Sequence, residues 1–103
     1  MNIVIQSVSV CGLGKLGACI AATSADRGIR VIGIDVDSQK VEALNRGLPP
    51  VDEPLLADTI TRAKSRLSAS TDPGAAVETD ATFFIPPSPS LPDGSFSLSL
   101  IHI

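Results

Sequence analysis

The sequence predicts an α/β fold, a parallel sheet with helices on both faces. Three observations predict it. Apolar runs of strand length, such as Val8-Ser9-Val10 and Val31-Ile32-Gly33-Ile34, alternate with stretches of helical character. The second run is apolar at consecutive positions, the pattern of a strand buried on both sides. The 103 residues contain no Trp or Tyr and only three Phe, so the core must be aliphatic, which suits a parallel sheet under alanine-rich helices.

The elements follow in order. Residues 3–11 read as a first strand centred on Val8 and Val10, with Val4, Ile5 and Gln6 either extending it or leading into it. A helix over residues 15–27 presents Ala18, Ala21, Ala22 and Ala25, with Leu16 and Ile20, to the sheet. Gly28 stands where a helix ends in a left-handed residue, and Arg27 complements the negative end of the dipole. The second strand closes at Asp35. Asp37 or Ser38 caps a second helix that runs to residue 46, with Val41 and Leu44 inward and Gly47 as its stop. Pro49-Pro50 breaks the chain. Glu53-Pro54 opens a third helix, with Pro54 in its first turn and Leu55, Leu56 and Ile60 as apolar positions. Residues 67–71 form a short strand, Asp72-Pro73 caps a short helix to residue 78, and residues 81–85 form a stronger strand. A loop with Pro86, Pro87, Pro89 and Pro92 follows, then an Asp93-Gly94 turn. Residues 96–103 alternate serine with apolar residues and read as an edge strand, or alternatively as a helix. The order β-α-β-α-α-β-α-β implies parallel strands joined by right-handed crossovers.

Between the first strand and first helix lies Gly12-Leu13-Gly14-Lys15-Leu16-Gly17. Glycines cluster in many turns, so GxGxxG alone says little. Here it follows a strand, opens a helix and is trailed by an acidic residue, Asp35, at the end of the next strand. This is the signature of a Rossmann-like dinucleotide-binding unit. Gly12 permits the tight turn. Gly14 lets a pyrophosphate approach the backbone, and Gly17 lets helix and strand pack closely. The free N–H groups at the helix start attract phosphate. Asp35 accepts hydrogen bonds from the adenosine ribose and would repel a 2′-phosphate. No Arg or Lys follows it at once, and Asp37 adds negative charge, so NAD is favoured over NADP. Leu13, Lys15 and Leu16 count with the glycines as cofactor-binding residues of the turn; the Lys15 side chain is expected to face solvent, with a direct phosphate contact as the lesser alternative. Ser88-Pro89-Ser90 follows the last clear strand at its carboxyl end, where ligands of open parallel sheets bind. Its hydroxyls either reach the cofactor or belong to an ordinary proline-stiffened loop.

Composition excludes several classes. The net charge is −3, and no aromatic platform for stacking bases is visible, which argues against nucleic acid. No apolar run approaches the ~20 residues of a membrane span. Residues 1–22 are apolar but lack a basic residue in front and are interrupted by Gly12, Gly14, Lys15 and Gly17, so they do not read as a signal peptide. Cys11 and Cys19 read as buried thiols of a cytoplasmic protein rather than a disulfide. One His and two Cys at these spacings make no metal site. No catalytic constellation is visible, and neither cysteine has His102 as a foreseeable partner.

Six segments, in this order, resemble the amino-terminal part of the UDP-glucose/GDP-mannose dehydrogenases: Cys-Gly-Leu-Gly-Lys-Leu-Gly, Val-Ile-Gly-Ile-Asp-Val-Asp, Lys-Val-Glu-Ala-Leu-Asn-Arg-Gly, Glu-Pro-Leu-Leu, Ser-Thr-Asp-Pro and Phe-Ile-Pro-Pro-Ser-Pro-Ser. The resemblance covers nearly the whole chain. Residues 40–47 followed by Glu53-Pro54 are more specific than the glycine motif. That family oxidises a sugar C6 alcohol to a carboxylate in two NAD-dependent steps, with a cysteine holding the intermediate as a thioester. The resemblance implies NAD bound by Gly12, Gly14, Gly17 and Asp35. Ser88 and Ser90 match a Thr-Pro-Thr cofactor loop, each Thr replaced by Ser, while Pro86 and Pro87 depart from the family pattern. No catalytic role falls to Glu53.

The family's catalytic cysteine, its lysine neighbour and its sugar-binding residues lie far downstream of this match. Residues 1–103 are therefore expected to be the amino-terminal portion of a dinucleotide-binding domain, about four strands of a six-stranded sheet, without a substrate domain. The expected partners are a nucleotide sugar for the parent enzyme and, through an unpaired sheet edge and exposed apolar surface, a second copy of the chain in a homo-oligomer. The competing readings are another dehydrogenase of the hydroxyacid or phosphogluconate type and a non-catalytic nucleotide-binding module.

Overall fold

The computed structural model describes residues 4–86 and 101–102. Its centre is a sheet of β1 (Ser7–Cys11), β2 (Arg30–Ile34), β3 (Leu67–Ser70), β4 (Ala81–Phe84) and β5 (Ile101–His102). The spatial order is β3-β2-β1-β4-β5. The first four strands pair in parallel, and β5 lies antiparallel along β4. The helices are α1 (Lys15–Asp26), α2 (Ser38–Asn45) and α3 (Leu56–Ala63), with 3-10 helices over Lys64–Arg66 and Pro73–Glu78. This is the doubly wound arrangement foreseen from the sequence, whose strand order reverses direction beside β1.

Strand register assigns the faces. Val8 and Val10 of β1 align with Val31 and Gly33 of β2 and with Ala81 and Phe83 of β4. Because side chains alternate along a strand, these residues share one face. Val10 reaches Gly17 of α1, so this is the face that α1 covers. Its core is aliphatic: Val8, Val10, Val31, Leu67, Ala81, the alanine row of α1 and Ile60 of α3 are all buried. The opposite face is lined by Ser9 and Thr82, both buried. The Ser9 hydroxyl lies 2.8 Å from that of Thr82 and 2.9 Å from that of Thr79, which closes the 3-10 helix over Pro73–Glu78. Hydroxyls that bond one another fill this side, and no buried side-chain polar atom among the described residues lacks a partner.

Local signals explain most boundaries. The Asp37 side chain caps α2 by accepting from the Gln39 N–H, and Asp72 caps the second 3-10 helix through the Gly74 N–H. Gly28 and Gly47, each just past a helix end, have positive φ.

Four expectations are corrected. Leu16 does not join the buried row of α1; it is 37% exposed, since its position turns away from the sheet while Ala18, Ala21, Ala22 and Ala25 face it. The third helix starts at Leu56 rather than at Pro54. The Leu56 N–H bonds to the Glu53 carbonyl, and Leu55 has φ 72° and ψ −9°. These are the marks of a type II turn with proline second and a left-handed residue third, so Leu55 is 77% exposed instead of packed. Both cysteines are free thiols but only half-buried. Finally, the outer edge of β3 is not bare: the Asn45 side chain donates to the Ala69 carbonyl at 3.0 Å and accepts from the Ala69 N–H at 2.8 Å. That amide stands in for a neighbouring strand and covers a position where another chain would pair. Of the expected final edge strand, Ile101–His102 is present; residues 96–100 and 103, and the serines of the 88–90 loop, lie outside the described residues.

Candidate nucleotide-binding turn

The carboxyl ends of β1 and β2 converge on the glycine turn. The Gly12 N–H donates to the Ile34 carbonyl at 2.7 Å, which ties the turn to β2. The Ile85 N–H donates to the Cys11 carbonyl at 2.8 Å, which ties it to the end of β4. Gly12 has φ 108°, and a β-carbon there would collide with the Ile85 carbonyl oxygen. A β-carbon at Gly17 would overlap the Gly12 carbonyl oxygen, so helix and turn are in backbone contact. Gly14 is different: a β-carbon there would meet nothing within 4 Å. Two glycines thus serve internal packing, and the middle one borders open space.

That open space lies at the start of α1. Gly14 is the N-cap and provides no capping side chain. The first backbone bond of the helix runs from the Ala18 N–H to the Gly14 carbonyl at 2.9 Å. The N–H groups of Lys15, Leu16 and Gly17 therefore have no protein acceptor among the described residues, and they sit at the positive end of the helix dipole. Such an end suits a diphosphate. The residues present fit NAD: the backbone N–H groups of Lys15, Leu16 and Gly17 would hold its pyrophosphate.

Asp35 stands at the end of β2, at the other side of the turn. One oxygen accepts the Leu13 N–H at 2.7 Å and the other the Asp37 N–H at 2.8 Å. The Asp35 N–H in turn donates to the Ser70 carbonyl at 3.2 Å. The Leu13 side chain is fully buried. It sits over Gly33, where a β-carbon would lie 2.9 Å from Leu13 Cδ2 and 3.0 Å from Leu44 Cδ2. Gly33 is a part of the turn's support that the sequence reading passed over, because a glycine inside a strand signals only weakness until the packing is known.

Lys15 is exposed, as expected, but its ammonium lies 3.5 Å from the Glu53 carboxylate. The pair links the turn before α3 to the start of α1, and its exposure limits its worth to about 0–1 kcal/mol. Leu16 is the partly exposed second residue of α1. Ser88 and Ser90 lie outside the described residues. The thiols are poor nucleophiles: burial pushes Cys11 up, and burial together with the Glu53 carboxylate pushes Cys19 up, partly offset by Lys15. Among the described residues, no group of three His, Cys, Asp or Glu side chains converges on a metal-sized space.

Comparison with known proteins adds an independent finding. The family model described as "UDP-glucose/GDP-mannose dehydrogenase family, NAD binding domain" matches residues 6–103. The UDP-glucose 6-dehydrogenase AglM of Haloferax volcanii is 44% identical over 94 residues, 90% of this chain and 22% of that protein. The GDP-mannose 6-dehydrogenase of Pseudomonas aeruginosa is 36% identical over 98 residues, 92% of this chain and 22% of that protein. Among solved structures, a UDP-glucose dehydrogenase from the hyperthermophilic archaeon Pyrobaculum islandicum superposes with a TM-score of 0.76 at 43% identity, over 89% of this chain and 22% of that one. A ternary complex of the Pseudomonas aeruginosa GDP-mannose dehydrogenase gives a TM-score of 0.74 at 38% identity, over 87% and 21%. The chain thus spans about a fifth of the length of the relatives it matches.

Proposed function

The chain belongs to the UDP-glucose/GDP-mannose dehydrogenase family as its NAD-binding part, and from that premise we propose that it supplies the cofactor grip of an enzyme oxidising the C6 alcohol of a nucleotide sugar to a carboxylate. The observation that carries this reading is the uncapped start of α1 over the open Gly14, with Asp35 beside it at the end of β2. NAD supplies hydride acceptance when bound. Lys15, Leu16 and Gly17 hold the pyrophosphate through backbone N–H groups, beside the bare backbone of Gly14. Gly12 and Gly17 keep that backbone in place, and Leu13 anchors it through its buried side chain. Asp35 takes the adenosine ribose hydroxyls. By their match to the family's cofactor segment, Ser88 and Ser90 contribute hydroxyls to the same site.

The downstream residues of such an enzyme carry the sugar site and the nucleophile; residues 1–103 are its amino-terminal cofactor portion and do not complete the reaction alone. The substrate class of the whole enzyme is a nucleotide sugar, and the family match leaves the hydroxyacid, phosphogluconate and non-catalytic readings without support. Two free thiols fit a reducing cytoplasmic compartment. Self-association is supported by exposed apolar side chains such as Val36, 94% exposed just after β2, and Val77, 87% exposed in the second 3-10 helix. A monodisperse monomer in light scattering at high concentration would contradict it.

Calorimetry of the 103-residue chain with NAD, NADP and ADP tests the reading. NAD is expected to bind more tightly than NADP, and Asp35→Ala to weaken NAD more than NADP. Equal loss for both would remove Asp35 from ribose recognition, and no binding at millimolar ligand would sink the proposed grip in this chain.

A further inference from the structure

We propose that Asp35 is a positioning residue for the phosphate-binding turn as well as the acceptor for the ribose, so that one carboxylate couples the two halves of the cofactor site. The inference rests on the NAD site proposed above and goes beyond it. The geometry is specific. A 2.7 Å N–H···O⁻ bond from Leu13 to Asp35 is a short, charge-assisted contact, of the stronger class. Leu13 directly precedes Gly14, the residue that borders the open space. Its side chain is fully buried over Gly33, so Leu13 is held at both its side chain and its N–H. The second Asp35 oxygen holds the Asp37 N–H at 2.8 Å, and Asp37 caps α2. The carboxylate is therefore clamped between the turn and the start of α2, and it cannot rotate without releasing one of them.

Each carboxylate oxygen has about two acceptor directions. With one on each oxygen used by backbone, one remains on each for the two vicinal ribose hydroxyls. A side chain that reads only the ribose is dispensable for a ligand without those hydroxyls. A side chain that also sets the turn is not. Cofactor preference is then hard to change at this position. Removing the carboxylate to admit a 2′-phosphate also frees the Leu13 N–H and loosens the pyrophosphate site, so NADP gains nothing from the exchange.

The test uses the 103-residue chain and an NAD analogue lacking both adenosine-ribose hydroxyls. Asp35→Ala and Asp35→Asn are compared with Asp80→Asn, a carboxylate at the far end of the sheet that likewise accepts two backbone N–H groups. Calorimetry is expected to show that Asp35→Ala weakens the analogue fivefold or more; a loss within twofold overturns the coupling, because only ribose recognition would have been removed. A second readout needs no cofactor. Asn keeps one acceptor oxygen where Asp has two, so in Asp35→Asn either the Leu13 or the Asp37 amide is expected to exchange its hydrogen at least tenfold faster than in the parent chain, and both at the parent rate in Asp80→Asn. Unchanged exchange at both amides in Asp35→Asn overturns the positioning role even if the alanine variant does not fold. Failure of the parent chain to bind NAD would instead count against the proposed function, while the exchange result would still decide the positioning role.

Discussion

Two carboxylates at opposite ends of the sheet make nearly the same bonds and do different work. Asp35 follows β2 and accepts the N–H groups of Leu13 and Asp37. Asp80 precedes β4 and accepts those of Gln6 at 2.9 Å and Ser7 at 3.2 Å, while its own N–H bonds back to Ser7. Asp80 closes the amino ends of β1 and β4 on each other, with no free helix start beside it among the described residues. Asp35 borders the unfilled N–H groups of α1 and the empty side of Gly14. A doubly bonded carboxylate is thus not itself a mark of a binding site. What distinguishes the carboxyl end is that backbone donors there are left over, and in open parallel sheets that end is where ligands sit.

The difference breaks most visibly at Gly17. A β-carbon there overlaps the Gly12 carbonyl oxygen, a backbone atom that cannot move aside alone. Gly17→Ala is expected to cost about 3 kcal/mol in urea unfolding and to abolish measurable NAD binding, because the turn must shift to admit the methyl. Parent-like affinity in a folded Gly17→Ala chain would show that the turn's position does not matter to the ligand. Gly33→Ala is the milder version: the new methyl meets only the flexible ends of Leu13 and Leu44. It should cost about 1 kcal/mol and weaken NAD severalfold through Leu13. Stability lost with affinity unchanged would separate the packing under the turn from its binding surface.

The carboxyl end was also the more legible of the two. The glycine spacing, the strand before it and Asp35 after it each carry a local reason, and the turn lies between β1 and α1 as the sequence predicts. The strands of the parallel core were readable from apolar runs, and Asp37, Asp72, Gly28 and Gly47 from their cap chemistry. What escaped depends on partners distant in sequence. Asp80 reads as a polar residue before a strand until β1 is brought beside it. Asn45 reads as a helix-end residue until β3 offers it Ala69. Gly33 acquires its purpose only from Leu13 and Leu44. The third helix was misplaced because proline at a helix start and proline in a type II turn look alike in sequence. Only the angles of Leu55 decide between them.

That leucine gives a smaller prediction with the opposite sign. Leu55 is exposed and holds a left-handed conformation, which costs an L-residue with a β-carbon about 1 kcal/mol. Leu55→Gly removes that strain but adds freedom to the unfolded chain, so the expected gain is about 0.5 kcal/mol. Glu53, in the same turn, pairs with Lys15 at the start of α1. If the turn steadies the carboxyl end, the variant should keep the parent affinity for NAD while its urea midpoint rises. A fall in the midpoint would show that the leucine side chain contributes more than its strain costs.

At neutral pH the smallest effect is expected from the amino end itself, and it grows only in acid. The N–H groups of Gln6 and Ser7 hold the Asp80 carboxyl below its usual range. Unfolding frees the group, whose pKa then returns to about 3.9. Because the folded value is the lower one, the unfolded chain binds the proton first as pH falls. The contribution of Asp80 is complete above the unfolded pKa and is lost as pH drops through the folded value. Asp26, held low chiefly by its hydrogen bond to Arg62, loses its contribution in the same window and in the same direction. Asp80→Asn should therefore narrow the fall in urea midpoint between pH 5 and pH 2 without removing it, and Asp26→Asn should narrow it further. Water screens both groups, so neither change should rival Gly17→Ala. A parent-like acid profile in Asp80→Asn would mean that its two backbone bonds hold no better with charge than without. The amino-end carboxylate would then be no counterpart to Asp35, whose charge is the very property assigned to the cofactor site.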